Sequence, residues 1–64
     1  MNLILKMSIL QKFPHQGDFA REVGVSESLV SRIVNGRRFP TEEQAEKIAK
    51  VLALPVDELF PAAR

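Results

Sequence analysis

The stretch "QGDFAREVGVSESLVSRIVNG", residues 16–36, predicts two short helices that meet at a sharp turn. Apolar residues recur at helical spacing on both sides of "GVS", which leaves only three residues for the link. So short a link makes the helices cross steeply, and Ala20 has to be small where the second helix packs against it. Gly24 stands either where a side chain would collide or where a positive φ is needed. The residues predicted to point inward and hold the crossing angle are Val25, Val30 and Ile33.

The second helix of this stretch is expected to run from an N-cap at Ser26 to about Asn35, where Gly36 ends it. Its apolar residues share one side of a helical wheel and are Leu29, Val30, Ile33 and Val34. The opposite side is a polar stripe of Glu27, Ser28, Ser31, Arg32 and Asn35. Short hydrogen-bonding residues around one long cation are what base-edge readout in the major groove of DNA requires. The polar stripe therefore predicts a helix that reads double-stranded DNA.

Upstream, residues 2–13 predict a first helix that stops before Pro14. The predicted core face of this helix carries Leu3, Met7 and Leu10. Two more apolar residues, Leu5 and Ile9, lie four apart on the other side. Either a small domain buries most of its first helix, or Leu5 and Ile9 form a homodimer contact. A third explanation makes residues 3–5 a short strand that pairs with a partner.

Downstream, Thr41 and Gln44 have the spacing of a capping box and predict the start of a fourth helix. The inner face of that helix is predicted to be Ala45, Ile48, Ala49 and Leu52. Pro55 opens a last short helix through "VDELF", and Pro61 ends it. The C-terminal helix, near Phe60, is the second place where a homodimer contact is expected.

Composition limits both the fold and the sites that a chain of 64 residues can hold. The chain contains no cysteine, which removes disulfides and thiolate metal sites. It has no Trp or Tyr and only four Phe, so an aliphatic core is predicted. Without repeats or linkers, residues 1–64 are expected to be a single all-α domain of five helices, with a helix-turn-helix at about 16–35. The N-terminal "MNLILKMSIL" has no basic start and is too short to span a bilayer, so a cytoplasmic location is expected.

The charges are segregated along the sequence although the net charge is only +1. Residues 28–40 contain no acid and three cations, which are Arg32, Arg37 and Arg38. Residues 41–46 contain no base and three acids, which are Glu42, Glu43 and Glu46. One cationic edge on a nearly neutral protein is the footprint of a nucleic-acid binder. The alternative is that Arg32 pairs with Glu22 or Glu27 and that the other two arginines are solvated.

Enzyme chemistry is not indicated by any group of residues. His15 has no second ligand nearby in the sequence, so it is interpreted as a turn residue and not as a metal ligand. Ser26, Ser28 and Ser31 have no base placed to activate them as nucleophiles. The acidic pairs of the fourth helix are interpreted as a solvated face. We therefore predict no catalytic residue, no metal, no cofactor and no small-molecule ligand.

Residues 16–60 closely resemble the helix-turn-helix of the Cro and phage-repressor family, also called the XRE family. The matching features are Gln16, Ala20 four residues on, "GVS" at the turn, "SRIVNG" at the end of the second helix and a closing "DEL". The resemblance implies a compact, lambda-repressor-like fold of five helices. It also implies base-reading positions at Glu27, Ser28, Ser31 and Arg32. The positions expected to contact phosphates are Gln16 and Asn35 by resemblance, and Arg37 and Arg38 by their place after the helix.

Several positions depart from the family pattern. His15 replaces the usual Thr and Gly17 replaces a common acid or Ala, which weakens the start of the helix. Val34 replaces the usual Glu, and the first helix lacks the Arg that often pairs with it. Both members of a buried ion pair have therefore gone together, a change that is often neutral or stabilising.

The function predicted from these features is that of a small transcriptional repressor without catalytic activity, which binds an inverted-repeat operator as a homodimer. The alternative is a protein-interaction module on the same fold, an antirepressor or antitoxin-like partner binder. Two features keep this alternative open, the low net charge and the acid Glu27 on the polar stripe.

Overall fold

Five α-helices make up most of residues 1–61, the part of the chain that this computed structural model describes. Their bounds are α1 Leu3–Lys12, α2 Gln16–Val23, α3 Glu27–Val34, α4 Glu42–Leu52 and α5 Val56–Leu59. No strand occurs between residues 1 and 61. The predicted all-α fold of five helices is therefore confirmed, with each long helix within one or two residues of its predicted bounds.

The N-terminal ends of α3 and α4 form through local hydrogen bonds that the sequence predicted. The Ser26 hydroxyl accepts from the Leu29 N–H at 3.1 Å and caps α3. The Thr41 hydroxyl accepts from the Gln44 N–H at 3.2 Å, and the Gln44 side-chain oxygen accepts from the Thr41 N–H at 2.9 Å. This reciprocal pair is the predicted capping box, so both helices begin where their cap residues stand.

Three left-handed residues end helices or follow a helix end. Gly24 has a φ of 89° at the end of α2, and Gly36 has a φ of 77° one residue beyond the Asn35 cap of α3. A Cβ added to Gly24 would have no atom within 4 Å, so the positive φ, and not crowding, explains this glycine. At the end of α4, Ala53 takes the left-handed conformation with a φ of 59°, although it carries a side chain.

The core is formed by one inner face of each helix. Among residues 1–61 its members are Leu5, Ile9, Phe19, Ala20, Val23, Val30, Ile33, Val34, Ala45, Ile48, Ala49, Leu52, Leu59 and Phe60. Twelve of these fourteen are aliphatic, as predicted, while Phe19 and Phe60 are the aromatic exceptions. The ring of Phe13 meets that of Phe19 edge-on, with 5.4 Å between centroids. No described polar or charged side chain is buried, which agrees with an apolar Val34 in place of an ion pair.

The orientation predicted for α1 is wrong. Leu5 and Ile9 are each 1% exposed in the core, whereas Leu3, Met7 and Leu10 are 57% to 60% exposed. Side chains this deeply buried cannot touch a partner, so the homodimer contact predicted at Leu5 and Ile9 is excluded. The alternative strand at residues 3–5 is also wrong, because these residues lie in the first turn of α1. Phe60 is buried as well and is not available to a partner.

Asn2 joins the start of α1 to two other helices. Its side-chain oxygen accepts from the Leu5 N–H at 3.0 Å and so caps α1. Its backbone N–H donates to the Val34 carbonyl at 2.8 Å, at the end of α3. Its side-chain amide donates to the Leu59 carbonyl at 2.6 Å, at the end of α5. The last turn of α3 is therefore fixed against the beginning of α1.

Candidate nucleic-acid interface

The crossing of α2 and α3 is set by the turn at residues 24–26. The N–H groups of Gly24 and Val25 both donate to the Ala20 carbonyl, at 2.9 and 3.0 Å. Ala20 is buried and Val25 is half-buried, so both lie against the core as predicted. The turn holds α3 by backbone bonds and apolar contacts, and the outer side of α3 is left for other interactions.

The two sides of α3 differ as the sequence predicted. Its inner side buries Val30, Ile33 and Val34 and half-buries Leu29. Its outer side presents the polar stripe, in which four residues are exposed and Ser31 is half-buried. The predicted base-reading residues therefore lie together on one accessible surface, on a helix that the core keeps in place.

Within the polar stripe, Asn35 and Ser31 contact each other. The Asn35 side-chain amide donates to the Ser31 hydroxyl at 3.4 Å, and the Asn35 N–H donates to the Ser31 carbonyl at 3.0 Å. The hydroxyl acts as acceptor in this bond, so its own proton can still be donated to an acceptor on a base edge. Arg32 forms no ion pair with Glu22 or Glu27, since neither carboxylate lies within 4.0 Å in the described chain. The interpretation of Arg32 as a neutralised surface residue is therefore not supported.

The end of α3 places two further cations beside the stripe. Gly36 N–H donates to the Ile33 carbonyl at 3.1 Å, and Arg37 N–H donates to the Arg32 carbonyl at 2.9 Å. This pair of bonds around a left-handed glycine is a Schellman motif, which turns the chain sharply away from the helix axis. Arg37 and Arg38 follow directly and are both exposed. The three predicted cations are thus all exposed, with Arg32 in the last turn of α3 and the other two just after its end.

The start of α2 has unsatisfied backbone donors. His15 precedes the helix and provides no side-chain cap bond. The N–H groups of Gln16 and Gly17 have no acceptor among residues 1–61, whereas Asp18 and Phe19 donate to the His15 carbonyl. Unpaired amides at a helix N-terminus favour anions. Gln16, the first residue of α2, is half-buried at this position.

Glu27 lies closer to α2 than its place in the sequence suggests. A Cβ added to Gly17 would be 3.2 Å from the Glu27 Oε1 atom and 3.6 Å from Oε2. The carboxylate therefore lies against the first turn of α2, beside the unpaired amides. Glu27 is itself in the first turn of α3. A negative charge near two helix N-termini is favourable for the fold. Spacing along the sequence does not reveal this contact, because it joins two helices.

Two helices joined by a three-residue turn, with an exposed polar stripe on the second helix, have the architecture of a helix-turn-helix. A family model described as helix-turn-helix matches residues 15–59, well over half of the chain. The chain therefore belongs to the Cro/C1-type helix-turn-helix family, the XRE family of DNA-binding domains. Comparisons with curated proteins and with solved structures gave no significant match.

Two further features are absent from residues 1–61. This part of the chain contains no cluster of three or more His, Cys, Asp or Glu side chains that could hold a metal ion. It also contains no helix with the length and apolar character needed to cross a bilayer.

Proposed function

We propose that this protein is a sequence-specific transcriptional repressor that binds an inverted-repeat operator as a homodimer through α3. The observation that carries the proposal is the exposed polar stripe of α3, which is held in place by buried Val30, Ile33 and Val34. Membership of a DNA-binding family supplies the kind of ligand. A helix of this width fits the major groove, where each base pair presents a distinct pattern of donors and acceptors. The protein would act in the cytoplasm, bound to the nucleoid, and would need no cofactor.

Four side chains of the polar stripe are assigned to base edges: Glu27, Ser28, Ser31 and Arg32. Arg32 is long enough to form paired hydrogen bonds with O6 and N7 of guanine. Ser28 and Ser31 have short hydroxyl groups that suit either donors or acceptors on neighbouring bases. Glu27 is assigned to a cytosine amine, the one base-edge group in the major groove of a G·C pair that donates to a carboxylate.

Four residues are assigned to phosphates on either side of the groove: Gln16, Asn35, Arg37 and Arg38. Gln16 is supported by the unpaired N–H groups of the first turn of α2, which attract an oxyanion. Arg37 and Arg38 are supported by their exposure and by the turn that separates them from the helix axis. Phosphate contacts orient the protein on the duplex, and base contacts select the sequence.

The second candidate function is that of a protein-interaction module, an antirepressor or antitoxin-like partner binder, in which the polar stripe contacts another protein. Two observations favour it: the net charge of only +1 and the carboxylate of Glu27 beside the proposed phosphate site. A domain that reads DNA must overcome this negative charge, whereas a domain that contacts a protein need not.

Binding to random duplex DNA across a salt series distinguishes the two functions. A DNA reader that neutralises two phosphates per copy, through Arg37 and Arg38, should lose affinity with a slope near −0.9 per neutralised phosphate in a plot of log K against log salt. An interaction module should show weak binding or no such slope. Selection of sites from random oligonucleotides then tests specificity, and the repressor proposal expects a two-fold symmetric consensus. Recovery of no consensus, together with a flat salt dependence, would overturn the proposal.

A further inference from the structure

Six large apolar residues form one continuous exposed surface, here called the apolar patch. Its members are Met1, Leu3, Ile4, Met7, Leu10 and Phe39, which are 51% to 69% exposed. Leu3, Met7 and Leu10 follow each other at spacings of four and three along the outer side of α1, opposite Leu5 and Ile9. Met1, Leu3, Ile4 and Phe39 line one groove of about 480 Å³, so Leu3 connects the stripe on α1 to the groove. Nothing within residues 1–61 covers this surface.

The size of the apolar patch matches one side of a protein interface. A large apolar side chain with more than half of its surface accessible presents on the order of 100 Å², so the patch presents roughly 600 Å². A stable interface buries about 800 Å² on each partner, and single apolar patches of several hundred square ångströms are commonly functional. Addition of a rim of neighbouring polar residues to the patch would reach that area.

We propose that the apolar patch is the surface through which two copies of this chain pair. The inference rests on the proposed function, because two domains are needed to read both halves of an inverted repeat. In a two-fold pair each copy uses the same surface, so that surface has to offer both protruding and receiving elements. The apolar patch has both, since Met7 and Leu10 protrude from α1 and the groove beside Ile4 and Phe39 can receive apolar side chains.

The location of the apolar patch connects pairing to DNA reading. The groove is also lined by Ile33, Gly36 and Arg38, at the end of α3. The Asn2 N–H bond to the Val34 carbonyl fixes this end of α3 to the start of α1. Pairing through the patch would therefore hold the two α3 helices at one fixed separation. Inverted-repeat recognition requires this, with half-sites about 34 Å apart on the same side of the duplex.

The charges around the apolar patch predict an unusual salt dependence. α1 contains Lys6 and Lys12 and no acid, so two copies joined through α1 bring like charges together. Added salt screens this repulsion, and a kosmotropic salt such as sulfate also strengthens burial of apolar surface, so salt should tighten the pair. The same salt weakens binding to DNA. Opposite responses to salt separate self-association from DNA binding in one protein.

Sedimentation velocity of the full chain without DNA tests the proposal. The wild-type protein is expected to show a concentration-dependent dimer whose dissociation constant falls severalfold from low to high salt. Met7→Glu and Leu10→Glu should each weaken the dimer by about tenfold or more. Gln11→Glu is the matched control, because it adds the same charge to an exposed position of α1 beside the patch and should leave the dimer intact. Met7→Ser, which adds no charge, should weaken the dimer less than Met7→Glu.

Circular dichroism separates loss of pairing from loss of folding. Met7 and Leu10 lie outside the core, so their variants should keep the helical spectrum and the melting temperature of the monomer. A wild-type monomer at about 100 μM, or variants that still dimerise, would overturn the proposal. A wild-type monomer that binds anionic vesicles through Met7 would overturn it too and assign the patch to a lipid surface. A monomer that still binds DNA with a steep salt slope would leave DNA binding through α3 standing and would remove only the homodimer from the proposed function.

Discussion

Glu27 is the side chain whose two roles conflict. Its carboxylate lies against Gly17 at the first turn of α2, where it stabilises two helix N-termini. A DNA phosphate held by the amides of Gln16 and Gly17 would occupy the same neighbourhood, so the two negative charges would repel each other. Glu27 would then oppose every DNA complex except one in which a cytosine amine donates a hydrogen bond to its carboxylate. A single carboxylate can in this way increase the difference between operator and random DNA.

Glu27→Gln should therefore tighten binding to random DNA and reduce the ratio of operator to random affinity. The fold should lose only a few tenths of a kcal/mol, because the change removes a helix-dipole interaction and keeps the shape of the side chain. The base preferred opposite residue 27 should shift toward adenine, which pairs well with an amide. Fluorescence anisotropy with random and selected duplexes measures the affinities. Glu46→Gln, an exposed acid on α4, is the control for net charge. Unaltered affinity for random DNA would show that residue 27 does not face the duplex.

The three arginines at the end of α3 should differ in what they contribute. Arg32→Ala should cost on the order of 1–3 kcal/mol of operator binding and relax specificity at one base position. Arg37→Ala and Arg38→Ala should weaken all sequences alike and reduce the salt slope by up to about one unit each. Salt titrations on operator and random DNA distinguish the two patterns. Equal losses on both DNAs from Arg32→Ala would remove Arg32 from the base-reading residues.

The ends of α2 and α4 allow the cost of a left-handed residue to be measured. Both helices end in this conformation, α2 at a glycine and α4 at an alanine. Ala53 has a φ of 59° with a side chain, and Gly24 has a φ of 89° without one. For an L-residue this conformation costs roughly 1–2 kcal/mol, and glycine avoids that cost. Ala53→Gly should therefore raise the free energy of unfolding by about 0.5–1 kcal/mol, after the greater freedom of glycine in the unfolded chain is allowed for.

Gly24→Ala is the converse variant and should lower the free energy of unfolding by about 1–2 kcal/mol. The space around Gly24 is open, so the loss would come from the backbone alone. Urea unfolding followed by circular dichroism measures both variants on one scale. A loss of stability in Ala53→Gly would mean that the Ala53 methyl group makes a contact worth more than the backbone strain.

The elements whose chemistry is local could be predicted from the sequence, and those decided by packing could not. Ser26 and the Thr41–Gln44 pair mark helix starts because cap and helix bond within one turn. In α1, by contrast, apolar residues occupy both faces, and helical spacing suits either one equally. The choice of Leu5 and Ile9 for the core depends on contacts with four other helices. The Glu27–Gly17 contact and the glycine-free end of α4 have no local signal either.

The domain as a whole depends on a core of fourteen residues within residues 1–61, so each large member should matter. Leu5→Ala should lower the free energy of unfolding by about 2–5 kcal/mol, because it leaves a cavity among α1 and its neighbours. Leu10→Ala, the same change on the exposed side of the same helix, should alter the free energy of unfolding of the monomer by less than about 0.5 kcal/mol. Thermal and urea unfolding at low protein concentration measure both. Similar losses of stability in the two variants would contradict the orientation of α1 described above, with Leu5 buried and Leu10 exposed.

The division of α3 into a buried side and a polar stripe has a consequence for how such regulators diverge. The buried residues hold the helix, and the stripe adds to the fold through the weak Asn35–Ser31 bond, the Asn35 cap and the Glu27 carboxylate. Most substitutions on the stripe should therefore leave the domain folded while they change the preferred DNA sequence. If positions 28, 31 and 32 read bases as proposed, two copies of such a protein can acquire different target sites after gene duplication through a few exchanges there. The same freedom makes the domain a scaffold for sets of regulators that ignore one another's sites.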